Sequence, residues 1–375
     1  MKKLIYRIHL YLGLASGLVM FVVSLTGCLY VFEEEIRAMM YRDFYFVAPQ
    51  QQPEKSIDQI VKIAQKYAGN QPVAQVWRKE YKPGGTFLVY LKNREVLAFD
   101  PYDGKLIGHK NMEREWLAVV EHIHTSLLLG DLGNRIIAWA TVIYAILLIS
   151  GIVLWWPKNR KQANRSFKIK WTASPKRLNY DLHNVLGFYA AWILIVIVLT
   201  GLWWSFDIVK EGVYALIGRP SFEKRPKIEL ATPASDTKPN GLLEKVYRYS
   251  VRDRQYIKQS YLQLPSEKDS MAALRVLVRY EIPRNFLRNQ NSFYFDPRTG
   301  VLLREDLYKN YNTADAIRAS NYVLHTGSMF GLAGKIVAFF ASLISTSLPI
   351  TGFLIWWNKR NKVKRKSENS VTVSY

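Results

Sequence analysis

Cysteine is almost missing from this chain: Cys28 stands alone among 375 residues. A single thiol cannot build a disulfide framework, a Cys-based zinc site or an iron–sulfur cluster. It also rules out a Cys-x-x-Cys-His attachment, so any prosthetic group has to be held non-covalently. No Gly-x-Gly-x-x-Gly turn occurs, and with it goes the usual sign of a dinucleotide site. Acidic residues are few, 30 Asp+Glu against 52 Lys+Arg, which leaves a formal charge of +22. Charge of either sign is absent from residues 10–32, 136–156, 185–206 and 336–357. Each run can cross a hydrocarbon core of ~30 Å, for which about 20 helical residues suffice. A soluble globular enzyme is thereby excluded.

The charge that is present sorts by side. Residues 1–9 carry +3, residues 157–182 carry +7 and residues 358–375 carry +5. The long loops 33–134 and 207–320 carry −1 and +6. The positive-inside rule puts both termini and the 157–182 linker in the cytoplasm and both loops outside. Because the basic runs abut apolar spans, they read as a topology signal, and no nucleic-acid partner is expected. Trp155-Trp156 and Trp356-Trp357 fit an interfacial aromatic belt. Lys2-Lys3, an apolar run and Leu25-Thr26-Gly27-Cys28 imitate a lipoprotein signal. The apolar run continues past Cys28 to Phe32, however, and Leu-Thr-Gly recurs at residues 199–201, so the segment reads as a retained membrane helix.

That recurrence belongs to a larger repeat. His9 precedes Gly13 by 4 and Gly27 by 18, and His183 precedes Gly187 and Gly201 by the same distances. His124-Thr125 is followed by Gly130, Gly133, Gly151 and Trp155-Trp156 at offsets that His325-Thr326 repeats with Gly331, Gly334, Gly352 and Trp356-Trp357. The chain therefore reads as two copies of helix, outer domain, helix, running the same way through the membrane about a pseudo-twofold axis. The glycines serve close helix packing or clear a face for a flat cofactor. Within the loops, Phe99-Asp100-Pro101-x-x-Gly104 matches Phe295-Asp296-Pro297-x-x-Gly300, a tight turn between strands. Helices are predicted over 56–68 and 242–250. Strands are predicted over 73–77, 86–91, 95–99, 259–264, 272–280 and 292–295. Each loop reads as a small α+β domain, and residues 223–240, with three prolines, as an extended connector.

Four of the six histidines fall at matched places. His9 and His183 lie at the cytoplasmic ends of the first and third helices; His124 and His325 precede the second and fourth. Each pair takes one residue from each half at one depth, which suits bis-imidazole ligation of a metal between two neutral rings. Two layers would make a two-step electron path. Ionisable residues in membrane helices are functional by default. His122 is a rival to His124 without a counterpart, and His109 reads as a solvated loop residue. No Cys, Asp or Glu stands at zinc-ligand spacing. Arg135 and Lys335, eleven and ten residues after the outer histidines, are either interfacial anchors or partners for haem propionates.

These residues carry a resemblance. Leu182-His183…Thr200-Gly201, Ile123-His124-Thr125…Gly151…Trp155-Trp156-Pro157 and Leu324-His325…Thr351-Gly352…Trp356-Trp357 resemble the PepSY-associated membrane-helix family. That family includes inner-membrane reductases for ferric siderophores. The resemblance implies a membrane α-helical bundle of four main transmembrane helices with a twofold internal repeat. It also implies two extracytoplasmic α+β PepSY-like domains and two b-type haems, with His9/His183 and His124/His325 as ligands. The expected division is 1–38 first membrane helix, 39–114 first periplasmic domain, 115–157 interfacial helix and second membrane helix, and 158–182 basic cytoplasmic linker. There follow 183–208 third membrane helix, 209–320 second periplasmic domain, 321–358 fourth membrane helix and 359–375 cytoplasmic tail. The expected setting is the bacterial inner membrane. The expected function is reduction of a periplasmic ferric siderophore to release ferrous iron. Quinol or a separate cytoplasmic reductase would be the donor, because the cytoplasmic segments are too short for a flavoprotein domain. The alternatives are a non-redox PepSY protein that binds peptide or restrains a protease, and a transporter. Pro349, the one proline inside a span, is thin support for the latter.

Overall fold

The computed structural model describes the chain apart from residues 80–82, 158, 160–162, 164–165, 219–227, 229, 231–239, 254, 266–271, 283–286 and 372–375. In chain order the helices are α1 (Lys2–Tyr30), α2 (Glu33–Met40), α3 (Arg42–Tyr45), α4 (Ile57–Tyr67), α5 (Trp116–Ser126), α6 (Gly130–Trp155), α7 (Pro175–Ser205), α8 (Asp207–Leu216), α9 (Leu242–Ser250), α10 (Thr313–His325) and α11 (Gly331–Val371). The strands are β1 (Val73–Arg78), β2 (Phe87–Leu91), β3 (Glu95–Phe99), β4 (Leu106–Asn111), β5 (Ile257–Gln263), β6 (Leu274–Tyr280), β7 (Asn289–Phe295) and β8 (Leu302–Asp306). The chain divides into two compact units, residues 1–32, 119–213 and 321–375 in one, and 33–118 and 214–320 in the other. Most of the connector expected over 223–240 lies outside the described residues, as does part of the linker 158–182.

Among the described residues the first unit holds four helices long and apolar enough to span a membrane: Lys2–Tyr30, Gly130–Trp155, Pro175–Ser205 and Ser328–Asn361. They pack in a ring, α1 against α6, α6 against α7, α7 against α11 and α11 against α1. Small and hydroxylated residues fill the middle. Ala140, Ala190, Ala191 and Ala341 share the core with Met20, Tyr144, Leu194 and Val198, and Ser16, Ser24, Ser342, Ser345 and Thr346 are also buried. Large apolar residues such as Leu18, Trp139, Trp192, Leu199 and Phe340 point outward. Lipid tails are as apolar as leucine, so helices in a bilayer associate through close packing of small residues and interhelical hydrogen bonds. This is a multi-pass membrane protein. At the centre, Ser345 Oγ lies 2.7 Å from Ser24 Oγ and 2.5 Å from Tyr144 OH, a hydroxyl cluster joining three of the four helices.

The second unit corrects one expectation. The two loops do not form separate domains; their strands make one antiparallel sheet of eight, in the order β4-β3-β2-β1-β5-β6-β7-β8. The junction pairs β1 with β5, setting Val76 opposite Leu262 and Trp77 opposite Tyr261. An edge strand with unpaired N–H and C=O groups is a liability, and each half covers the other's edge. The periodicity that identified the strands cannot report this, because it is blind to which strands are neighbours. One face of the sheet packs on α4 and α9 in a single core that includes Ile60, Val76, Phe99, Val246, Leu262, Val276 and Phe295. The two helix starts cap each other. Asp58 accepts the Glu244 N–H at 2.8 Å, and Glu244 accepts the Ile57 N–H at 2.8 Å, so a carboxylate meets each positive helix end.

Both Asp-Pro-x-x-Gly turns form as predicted. Gly104 (φ 74°) and Gly300 (φ 69°) take the left-handed conformation there, which glycine adopts without steric cost. The outermost strand pairs also carry a register shift at corresponding points, between Ala98 and Phe99 and between Tyr294 and Phe295.

Because the sheet is continuous, damage at its centre should reach both halves. Leu262 is fully buried, and Leu262→Ala should cost about 2–5 kcal/mol. Limited proteolysis of the full-length variant should then yield new cuts in both 39–114 and 209–320. Cuts confined to the second segment would mean that the halves fold independently.

Candidate functional site

Each of the four matched histidines is set on one helix and held by another. His9 on α1 places Nδ1 2.8 Å from Ser150 Oγ on α6, and His183 on α7 places Nδ1 2.9 Å from Thr351 Oγ1 on α11. His124 at the end of α5 directs Nδ1 to the Val23 carbonyl of α1 at 2.9 Å, with Thr26 Oγ1 at 3.3 Å. His325 at the end of α10 repeats this on α7, with the Ile197 carbonyl at 3.0 Å and Thr200 Oγ1 at 2.9 Å. A carbonyl can only accept, so Nδ1 of His124 and His325 carries the proton. Nε2 is then the bare lone pair, the form in which histidine ligates a metal while its other nitrogen is fixed by a neighbour.

A glycine faces every one of these rings. A Cβ on Gly27 would stand 2.9 Å from His124 Cε1, and one on Gly352 would stand 3.2 Å from His183 Cε1. Gly151 meets His9 and Gly201 meets His325 in the same way, at 3.4 and 3.7 Å. The reason is geometric. In a helix the carbonyl of residue i−4 points at residue i, so a side chain at Gly27 or Gly201 would screen the Val23 or Ile197 carbonyl from the imidazole. Neither use expected for the glycines describes these four, which make room for histidine rings. The matched pair Gly133 and Gly334 serves packing instead, since a Cβ on either would run into the backbone of the preceding turn, at Ser126 and Gly327.

One pair also has its rings close together. The rings of His124 and His325 have centres 6.2 Å apart at an interplanar angle of 68°. Two imidazoles that share a metal through nitrogen bonds of about 2.0 Å have ring centres roughly 6 Å apart, and twisting about the nitrogen–metal–nitrogen line leaves that distance unchanged. The edge of Trp204 closes one side of His325, with ring centres 5.1 Å apart. His9 and His183 line one cavity of about 350 Å³, together with Gly13, Gly17, Gly187 and Pro349. A π-helical turn, Leu182–Leu186, carries His183; such turns re-aim side chains and recur at functional sites. Among the described residues no three His, Cys, Asp or Glu side chains come together.

The remaining sequence candidates divide. His122 is exposed on α5 and takes no place in the pair. His109 lies on β4 rather than in a loop, half exposed beside Glu95 at 3.3 Å. Arg135 is exposed, its Nε donating to the Asp131 carbonyl at 3.4 Å, whereas Lys335 is buried. Their one-residue difference in spacing from the histidines is a turn of about 100° on a helix, so they do not occupy corresponding faces.

Residues 6–359 match the family described as the PepSY-associated TM region. The chain belongs to this family. No curated protein matches it significantly. The family match takes in all four membrane helices, both loops and all four paired histidines of this PepSY-associated chain. Reading the sequence missed the residues that hold the histidines. A hydroxyl residue stands directly before each ring-facing glycine, at Thr26-Gly27, Ser150-Gly151, Thr200-Gly201 and Thr351-Gly352, and this fourfold dipeptide was the available signal. Lys359, which lines the His9/His183 cavity and donates to Tyr6 OH at 3.2 Å, was hidden among the basic residues of the tail.

The tautomers can be tested. In metal-free protein labelled with ¹⁵N-histidine, four of the six rings should carry the proton on Nδ1. Thr351→Val should return His183 alone to a mixture. Rings protonated mainly on Nε2 would contradict the arrangement.

Proposed function

We propose that this PepSY-associated chain is a transmembrane electron-transfer protein that reduces a ferric siderophore. In this reading the chain is a duplicated unit in a bacterial inner membrane. Both termini and the linker are cytoplasmic, and the sheet-bearing loops lie in the periplasm. The observation that carries the reading is the pairing of four imidazoles, each with Nδ1 engaged and Nε2 left over, in two layers within one helix ring. Haem b bound between each pair would supply two one-electron sites at different depths of the membrane.

The chain's own residues have definite tasks under this proposal. His9 and His183 would hold the layer nearer the termini, with a flat ring in the cavity that they line together. His124 and His325 hold the layer nearer the loops. Ser150, Thr351, Thr26 and Thr200 fix ring orientation and keep Nε2 deprotonated, as outer partners of metal-bound histidines do. Lys359 at the first cavity is placed to meet a propionate, and buried Lys335 is the better of the two cations expected at the second layer. The donor is quinol or a separate cytoplasmic reductase. Ferrous iron is held weakly by hard oxygen donors, so adding one electron to the chelate frees the metal without breaking the siderophore.

The experiment is a dithionite-reduced minus air-oxidised spectrum of the purified protein, with haem counted per chain. Two b-type haems are expected. His325→Ala should leave one and His9→Ala should leave one, and together they should leave none. A colourless protein from haem-replete cells would sink the redox reading and leave a PepSY protein that works by binding. With haem present, the reduced protein should be reoxidised by a ferric chelate, and failure there would move the acceptor to another class.

A further inference from the structure

The face of the eight-stranded sheet turned away from α4 and α9 changes character across its width. Registers define its rows. One row on the first half reads Leu88 (β2), Ala98 (β3), Gly108 (β4). The corresponding row on the second half reads Arg275 (β6), Tyr294 (β7), Arg304 (β8). The first set is small and apolar, and the chain covers it: Phe44 and Tyr45 of α3 pack with Leu88, Val96 and Ala98, and a Cβ on Gly108 would meet the Phe44 ring at 3.1 Å. The second set cannot be covered in that way, because guanidiniums and a phenol occupy the place where Phe44 would lie.

The arginines are organised rather than scattered. Tyr294 is flanked by two of them, with the Arg275 guanidinium 5.4 Å and the Arg304 guanidinium 4.5 Å from its ring centre. Arg279, four residues further along β6 and on the same face, lies 5.1 Å from the ring of Tyr261. Tyr261 in turn stacks on Trp77 at 4.7 Å across the central strand pair. Arg275 donates to Ser292 Oγ at 3.0 Å, and Arg304 meets Asp306 at 3.4 Å. Burial raises the Tyr261 phenol above its ordinary value, while Arg279, Arg288 and Arg275 pull it down. Gln263, opposite Arg275, and Gln290, opposite Arg279, add amide donors to the same surface. The half-buried guanidiniums lie against the tyrosine rings, and planar cations so clustered suit the recognition of oxyanions.

We propose that this Arg275/Arg279/Arg304 face, with Tyr261 and Tyr294, is a binding site for a small polyanionic chelate bearing planar aromatic oxygen donors. Guanidiniums answer the charge, and the tyrosine and tryptophan rings answer the planar groups. The site deepens the reductase reading, on which it rests for the metal, though not for the binding. It makes the second loop the substrate half of the sheet and the first loop the half that α3 has closed.

A redox-inert probe separates the two claims. Gallium(III) tris-catecholate carries charge −3 and cannot be reduced under these conditions, whereas a gallium(III) trihydroxamate is neutral. Equilibrium dialysis of the full-length protein in zwitterionic nanodiscs should show binding of the first and not of the second, weakening as salt rises. Arg275→Gln and Arg304→Gln should each weaken it roughly 10-fold, Arg304→Lys should recover part, and Arg248→Gln on the exposed side of α9 should change nothing. Equal binding of both chelates, or binding indifferent to these arginines, would overturn the site. So would loss of binding in nanodiscs made with anionic lipid, which would assign the face to headgroups. Unchanged circular dichroism in the variants guards against misfolding. Binding by a protein without haem would keep this site and refute the reductase.

Discussion

The membrane unit depends on one constraint: an imidazole inside a bilayer must dispose of its N–H before its other nitrogen can be of use. An unsatisfied polar group in hydrocarbon costs several kcal/mol, and water is not there to relieve it. His124 and His325 meet this by donating from Nδ1 to a backbone carbonyl of a neighbouring helix, and His9 and His183 set Nδ1 against a hydroxyl there. The acceptors are accessible because the adjacent position is glycine. Helix spacing, the hydroxyl–glycine dipeptides and the small residues of the core follow from that requirement. A larger residue at Gly27 or Gly352 would push the ring off its acceptor, and the N–H would then be left in an apolar environment. The same bonds tie α1 to α6, α7 to α11, α5 to α1 and α10 to α7, so the feature that prepares the site also holds the helix ring together.

What could be read from sequence was whatever depends on spacing along one chain. Charge-free runs located the spans, matched offsets singled out His9, His124, His183 and His325 from six candidates, and Asp-Pro-x-x-Gly located two turns. What could not be read depends on neighbours distant in sequence. The pairing of β1 with β5 joins strands about 185 residues apart in the chain, and alternation along either strand is the same whether its edge is covered or open. Ser150 and Thr351 looked like ordinary small residues of a membrane helix until an imidazole was seen opposite them. The π-helical turn at Leu182–Leu186 has no compositional mark, since π and α hydrogen bonding differ by one residue in reach. Arg135 and Lys335 show the opposite error. Counting residues brought them together as a pair, and one residue of phase on a helix separates them.

The sheet and the helix ring handle their matched positions differently. In the membrane unit the histidines, their acceptors and their glycines agree in type between the halves, because two facing imidazoles need equivalent environments to present equivalent nitrogens. On the sheet, the Leu88–Ala98–Gly108 row and the Arg275–Tyr294–Arg304 row hold the same ladder positions with opposite chemistry. A strand pair tolerates this because its backbone bonds are indifferent to side chains, and the buried face, with Phe99 answering Phe295, carries the stability. One face is thus free to diverge while the other keeps the fold.

The hydroxyl cluster at the centre of the helix ring is where agreement between the halves has to fail. Counting back seven residues from Gly151 and Gly352 gives Tyr144 and Ser345, and these two touch, with the phenol oxygen 2.5 Å from Ser345 Oγ. Residues that meet their own counterparts compete for one volume. Two tyrosines would overfill it, and two serines would leave a void that costs stability in proportion to its size. One large and one small residue fill it once, and the phenol hydroxyl gains an acceptor that a phenylalanine would not need. Ser24 completes the arrangement from α1 at 2.7 Å, while Val198 stands at the corresponding place on α7. At the point of self-contact the halves therefore depart from correspondence, while the histidine layers on either side of it match.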